Sequence, residues 1–207
     1  MNFLDFKKAF DSVHRDSLWK IVHLYGIPDH YIAIIKSLYA NSQCCIRTEN
    51  GNTEYFDIIS GVRQGCIISP LLFLIVIDYI LKTCLNKAEF GIAWNETTDL
   101  DFADDIVLFA EKRDVLQRMT NDVQASAEKI GLQLNSDKTK AMVINAKSAI
   151  TTTMVINGGN SVETVGQFTY LGSVVTEKGD AQTDINCCIG KASAVFQRLH
   201  KIWKSTN

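Results

Sequence analysis

Residues 71–77 of this 207-residue chain, Leu71-Leu72-Phe73-Leu74-Ile75-Val76-Ile77, put an apolar side chain at every position of about two helical turns. Ser69-Pro70 in front of them reads as a helix start, with serine as cap and proline in the first turn. A helix apolar on every face is expected to be buried on every face, so other elements must surround it. Asp78 closes the run far short of the ~20 apolar residues a membrane span needs, and no membrane partner is expected. The wrapping must come from the chain itself. With 46% hydrophobic and 21% charged residues, it has the composition of one soluble globular domain with room for an appendage.

The wrapping elements alternate in type. Asn2 to Phe6 reads as a short strand that starts with no lead-in, which suggests missing sequence upstream. Leu18, Trp19, Val22 and Tyr25 recur at helical spacing from Arg15, and Gly26 offers a stop. Pro28 opens a second helix whose buried face is expected to be Tyr31, Ile34, Ile35 and Leu38. Cys45 to Thr48, Asn50-Gly51 and Thr53 to Ile59 read as a hairpin. After a polar stretch around Asn95, Leu100 to Ala110 reads as two short strands joined tightly at Ala103-Asp104-Asp105. Val115, Leu116, Met119, Val123 and Ile130 form a helical stripe ended by Gly131. Strands are expected at Ala141 to Asn145, Thr153 to Asn157 and Phe168 to Val175. A last helix, beginning near Asp180, carries Ile185, Ile189, Ala192, Phe196, Leu199 and Trp203 at spacings of three and four. Long helices between antiparallel strands in this order give an α+β pattern of the split-βαβ type. In that topology the first strand lies beside the central hairpin, so Asp5 comes near Asp104 and Asp105.

The six cysteines show no C-x-x-C spacing for zinc or redox chemistry, so free, mostly buried thiols of a reducing compartment are expected. His14, His23, His30 and His200 lack ligand-spaced partners and read as surface or packing residues. Phosphate-loop, dinucleotide, H-E-x-x-H and G-x-S-x-G patterns are missing from the sequence. The charged start MNFLDFKKAFD is unlike a signal peptide, and the protein is expected to be intracellular, in nucleus or cytoplasm, and not secreted. A net charge of −2 lacks the basic excess common in nucleic-acid binders, but the charge is segregated. From residue 185 onward there are four Lys and Arg and no acids, which leaves 17 bases against 23 acids before it.

Three carboxylates gathered at strand ends repel one another unless a cation neutralises them. Their hard oxygens suit Mg²⁺ or Mn²⁺, and a pair of such ions suits displacement at phosphorus. A polar hairpin turn and a solvated strand end would also account for these aspartates.

The surrounding residues favour the chemical alternative. FLDFKKAFDSV at 3–13, GVRQGCIISPLLF at 61–73, FADD at 102–105 and GLQLNSDKTK at 131–140 are followed by Phe168-Thr169-Tyr170-Leu171-Gly172. Together, in this order, they resemble the palm of reverse transcriptases, specifically the non-LTR, LINE-type retrotransposon group. The resemblance implies RNA-templated DNA synthesis by two-metal nucleotidyl transfer, with two Mg²⁺ (or Mn²⁺) ions on Asp5, Asp104 and Asp105. RNA template, DNA primer and deoxynucleoside triphosphates are the implied partners. It implies Phe10 beneath the incoming sugar, where the ring would exclude a 2′-hydroxyl, and Arg63, Gln64 and Gly65 around the nucleotide, with Gly61 and Gly65 allowing close backbone approach. Lys138, with Lys140 as competitor, would neutralise or protonate the leaving pyrophosphate. Tyr170, Leu171 and Gly172 would support the primer end, and Lys191, Arg198, Lys201 and Lys204 would track a duplex from the thumb. The fold class implied is an α+β polymerase palm, a ferredoxin-like antiparallel sheet with helices on one face, plus the start of a helical thumb. Residues 1–178 would be palm and 179–207 a truncated first thumb helix, with the basic fingers region expected upstream of Met1. Such a chain is the catalytic middle of a retrotransposon polyprotein. The alternative is an inactive or co-opted fragment that at most binds nucleic acid.

Overall fold

Successive side chains of the first strand face opposite ways, and that alternation sets the layers. In the computed structural model, which describes residues 1–85, 98–144 and 153–204, Leu4 is buried among helices and Phe3 under a hairpin on the other side of the sheet. The elements run β1 (Asn2–Leu4), α1 (Ala9–Ser12), α2 (Arg15–Leu24), α3 (Asp29–Tyr39), β2 (Gln43–Cys44), β3 (Arg47–Thr48), β4 (Gly51–Asn52), β5 (Phe56–Asp57) and α4 (Ser69–Leu85). They continue β6 (Asp99–Phe102), β7 (Asp105–Leu108), α5 (Arg113–Glu128), β8 (Lys140–Ala141), β9 (Met154–Ile156), β10 (Asn160–Thr164), β11 (Gln167–Tyr170), β12 (Ser173–Thr176) and α6 (Gln182–Lys204).

The main sheet has the order β6-β7-β1-β8-β10-β9. Its pairings are antiparallel except β8 with β10, which is parallel, so the sheet is mixed on that side. Leu4, Ile106 and Leu108 meet α2, α4 and α5 on one face. Phe3, Val107 and Met142 meet Phe168, Tyr170 and Val175 on the other. This is an α+β fold with α2, α4 and α5 on one face, as the element order predicts, while the longest helix, α6, lies against β12 of the hairpin that covers the other face. Among the described residues no helix is long and apolar enough to cross a membrane.

The run at 71–77 is less enclosed than its composition predicts. Leu72, Phe73, Val76, Ile77 and Ile80 are buried to 1% exposure or less, but Leu71 is 57% and Leu74 44% exposed. Helix α4 is wrapped by α2, α5 and the sheet, and its remaining flank faces away from all three. The hydroxyl of Ser69, expected as a cap, is hydrogen-bonded to Tyr39 at 2.8 Å.

Helix α3 is rotated from the expected face. Ile32 and Tyr39 are buried, while Tyr31, Ile34 and Leu38 are about half exposed, because Tyr39 turns inward to the start of α4 and carries the helix face with it. In α2, Ile21 is buried with Leu18 and Val22, and Tyr25 stays exposed, donating to Asp78. The expected strand at Phe168 to Val175 is instead the hairpin β11–β12, broken by Leu171 and Gly172 at φ 49 and 88. Strand β10 carries no alternating apolar signal, with Val162 its single hydrophobic residue, and forms because β8 and β9 flank it. The stripe on α6 lies open: Ile185, Ile189, Phe196 and Leu199 are exposed. None of the six cysteines forms a disulfide, yet Cys84 alone is buried, contrary to expectation; the others lie on loops, short strands and the exposed α6. The stretch around Asn95, Asn145 and the side chains of Lys201 and Trp203 lie outside the described residues.

Candidate active site

Asp5 directly follows strand β1, whose antiparallel register with β7, Leu4 opposite Ile106, carries Asp5 toward Asp105 at the next step. Strands β6 and β7 turn in two residues, Ala103 and Asp104, with Ala103 at φ 58. A third segment closes from the other side. The Asn135 amide donates to the Asp5 carbonyl at 2.8 Å, and the Asp5 amide donates to the Thr139 hydroxyl at 3.4 Å. Within that turn the Asn135 side chain accepts from the Asp137 amide at 3.1 Å, an arrangement asparagine favours. The turn thereby holds Lys138, whose Nζ stands 3.7 Å from Asp5 Oδ2. Lys140 borders the same cavity, but its Nζ is held in an ion pair with Glu163 at 2.8 Å.

The β11–β12 hairpin closes the site. Tyr170 donates its hydroxyl to the Asp105 carbonyl at 3.2 Å and lies 3.4 Å from the Leu100 carbonyl. The Phe168 ring stacks on Phe3 at 4.2 Å. These groups surround a cavity of about 340 Å³ lined by Asp5, Asp105, Lys138, Tyr170 and the apolar floor of Phe3 and Phe168.

Its electrostatics are unbalanced toward the anion. Asp5 Oδ2 is buried and accepts no hydrogen bond. Loss of water, then the charges of Asp104 and Asp5, raises the Asp105 carboxyl above its ordinary value, with Lys138 opposing. The Tyr170 phenol is raised by burial and by Asp105 and Asp101. Among the described residues, no three carboxylate, imidazole or thiol side chains converge closely enough to form a finished metal cage.

Phe10, Arg63, Gln64 and Gly65 form a second cluster that does not line this cavity. The Phe10 ring stacks on Phe73 of α4, centroids 4.5 Å apart. Arg63 donates to the Ser42 hydroxyl at 2.8 Å and lies over the Tyr39 ring. Gln64 donates to Asp11 Oδ1 at 3.2 Å. Gly65 has φ 83 and open space where a Cβ would stand. Leu171 and Gly172 sit at the hairpin tip, where Lys191 of α6 donates to the Gly172 carbonyl at 3.2 Å. Sequence reasoning passed over Asp11, Asn135 and Thr139, which hold these pieces in place. Asn135-Ser136-Asp137 carried a legible signal, since asparagine two residues before an amide is a turn former.

The sequence profile described as reverse transcriptase (RNA-dependent DNA polymerase) matches residues 1–175. The chain belongs to the reverse transcriptase family. Its similarity extends to polyproteins of R2 elements, members of the non-LTR group. It is 33% identical over 135 residues to the Pol polyprotein of the type-2 retrotransposable element R2DM of Drosophila melanogaster, covering 65% of this chain and 13% of that one. It is 32% identical over 192 residues to the R2 Pol polyprotein of Nasonia vitripennis, covering 88% and 19%. The chain thus spans less than a fifth of the length of either relative. In fold it is similar to telomerase from Candida Tropicalis in complex with a fragment of telomeric RNA, with a TM-score of 0.60 and 17% identity over 88% of this chain and 29% of that one.

Proposed function

We propose that residues 1–178 are the palm of an RNA-directed DNA polymerase within a non-LTR retrotransposon polyprotein, and that residues 179–207 begin its thumb. The observation that carries this reading is the buried Oδ2 of Asp5, which accepts no hydrogen bond and has Lys138 Nζ at 3.7 Å, on a residue that lines the cavity with Asp105. A buried carboxylate oxygen left without a hydrogen bond is costly, one lysine does not balance the several carboxylates here, and an acid-rich group of hard oxygens fits a divalent cation. Asp5, Asp104 and Asp105 would hold the Mg²⁺ or Mn²⁺ ions. Bound there, such ions lower the pKa of a primer hydroxyl and neutralise charge on the departing phosphate.

The chain's own residues supply the rest. RNA template, DNA primer and deoxynucleoside triphosphate are the substrates: the primer 3′-oxygen bonds to the α-phosphorus and the bond to pyrophosphate breaks. Tyr170 fixes the Asp105 turn through its backbone carbonyl, so the carboxylates keep their position as charge develops. Lys138 carries a proton at Nζ within reach of a leaving oxygen, and Lys140, tied to Glu163, is the poorer candidate. Phe10 stands under the sugar and selects deoxynucleotides, with Arg63, Gln64 and Gly65 around the nucleotide, and Leu171 and Gly172 beside the primer end.

Extension of an oligo(dT) primer on poly(rA) with Mg²⁺ is expected with dTTP and to be at least about tenfold weaker with UTP. Duplex binding without extension would instead favour the co-opted fragment. Lys138→Met is expected to slow single-turnover incorporation by about 10²-fold, while Lys140→Met stays within severalfold of the parent chain. Equal losses from the two substitutions would remove Lys138 from the proton-transfer role.

A further inference from the structure

The second cluster has an unusual centre. Arg15, on the first turn of α2, donates from its guanidinium toward four backbone carbonyls: Nε to Gly61 at 3.1 Å, Nη1 to Ile58 at 2.7 Å and Tyr39 at 3.3 Å, and Nη2 to Ser60 at 3.2 Å. Its guanidinium also faces the Tyr39 ring at 5.1 Å, and that of Arg63 lies 5.6 Å from the same ring. Among the described residues no carboxylate pairs with Arg15. A partly buried cation satisfied by dipoles alone, with a second guanidinium nearby, is a poor choice for stability, because an uncharged filler would avoid the desolvation.

What the arrangement fixes is position. Three of the four carbonyls belong to residues 58–61, the strap leading into Arg63, Gln64 and Gly65. That strap is also sewn to α1 and its flank by Gly61 N to Val13 O at 2.8 Å, Val62 N to Phe10 O at 2.7 Å and Ser60 Oγ to Asp11 O at 3.0 Å. Gln64 then reaches Asp11. Lysine keeps the charge but has no planar fork for several carbonyls at once.

We propose that Arg15 is a positioning residue for nucleotide recognition: its guanidinium holds the 58–61 strap against α1 and so sets where Gln64 and Gly65 meet the incoming triphosphate. This rests on the polymerase reading above, and the two can fail separately. The experiment compares the parent chain, Arg15→Lys and Arg15→Met with Val123→Ala, a core truncation in α5 that destabilises without touching the strap. Amide exchange is followed by mass spectrometry over residues 58–66, and kcat and KM for dTTP are measured on poly(rA)·oligo(dT).

Both Arg15 variants are expected to exchange the strap amides at least tenfold faster and to raise KM for dTTP about tenfold, with kcat changing less than threefold. Val123→Ala, at a comparable loss in Tm, leaves strap exchange and KM unchanged. Strap exchange unaltered in Arg15→Lys, or KM rising equally in Val123→Ala, would overturn the proposal. If the parent chain shows no extension, the polymerase reading fails for this chain, and strap exchange alone then decides whether Arg15 holds the loop.

Discussion

Asp105→Asn is expected to lower primer extension by about 10³-fold or more while leaving the protein folded and at neutral pH slightly more stable. The substitution keeps the shape of the β7 start and the backbone carbonyl that receives the Tyr170 hydroxyl. It removes one of the anionic oxygens proposed to hold the cations. The stability change follows from the direction of the carboxyl's shift. Loss of water and the charges of Asp104 and Asp5 raise its folded-state pKa, so the native state becomes less stable as pH climbs through the carboxylate range. The amide carries no such penalty. Because the side chain is well exposed, the gain is expected to be below about 1 kcal/mol, and it should vanish below the ordinary aspartate range. Urea unfolding at pH 7 and pH 3, beside extension kinetics, checks both parts. Near-parental activity would exclude Asp105 from the chemistry, and loss of activity accompanied by lowered stability would point to a structural role.

Gly61→Ala is the largest expected effect on folding. At φ 76, a Cβ on residue 61 would lie 2.6 Å from Asp11 Cα and 2.6 Å from the Phe10 carbonyl oxygen. Both neighbours are backbone, so neither can swing aside. The left-handed conformation costs an alanine about 1 kcal/mol or more, and the forced separation of strap from α1 adds about 1–3 kcal/mol. A total of roughly 3 kcal/mol should appear as a lower urea midpoint. Gly65→Ala provides the contrast. It has a similar φ of 83 but nothing within 4 Å of the added carbon, so the conformational cost alone, about 1 kcal/mol, is expected. Equal midpoints for the two variants would show that the strap is not clamped as described.

Much of the site was legible because its residues are local and chemically distinctive. Lys138 came only from the resemblance of its motif to the family, whereas an acid pair at a tight hairpin turn and an acid on the first strand could be placed from local pattern. Strand β10 and the rotation of α3 could not, because each depends on a distant partner: β10 on β8 and β9, and α3 on the hydrogen bond between Tyr39 and Ser69. Which carboxylate each of Lys138 and Lys140 would meet was likewise invisible, since Lys140 is taken by Glu163, which lies on a strand without periodic signal. Asp11 and Arg15 carry no signal of their own in the sequence, because what they hold lies at 58–64, about fifty residues away.

By itself the sequence determined the α+β class, the apolar helix over residues 71–77, the carboxylate hairpin and the family. Those follow from side-chain period, turn chemistry and motif order, all local along the chain. Only the tertiary structure decided that the run at 71–77 would leave Leu71 and Leu74 exposed, that Asp5 Oδ2 would be buried beside Asp105 without a hydrogen bond, and that Arg15 would hold the strap. The reason is geometric. Hydrophobicity says how much a side chain gains from burial, but which face is covered and which polar atom is left unpaired depend on where elements remote in sequence come to rest.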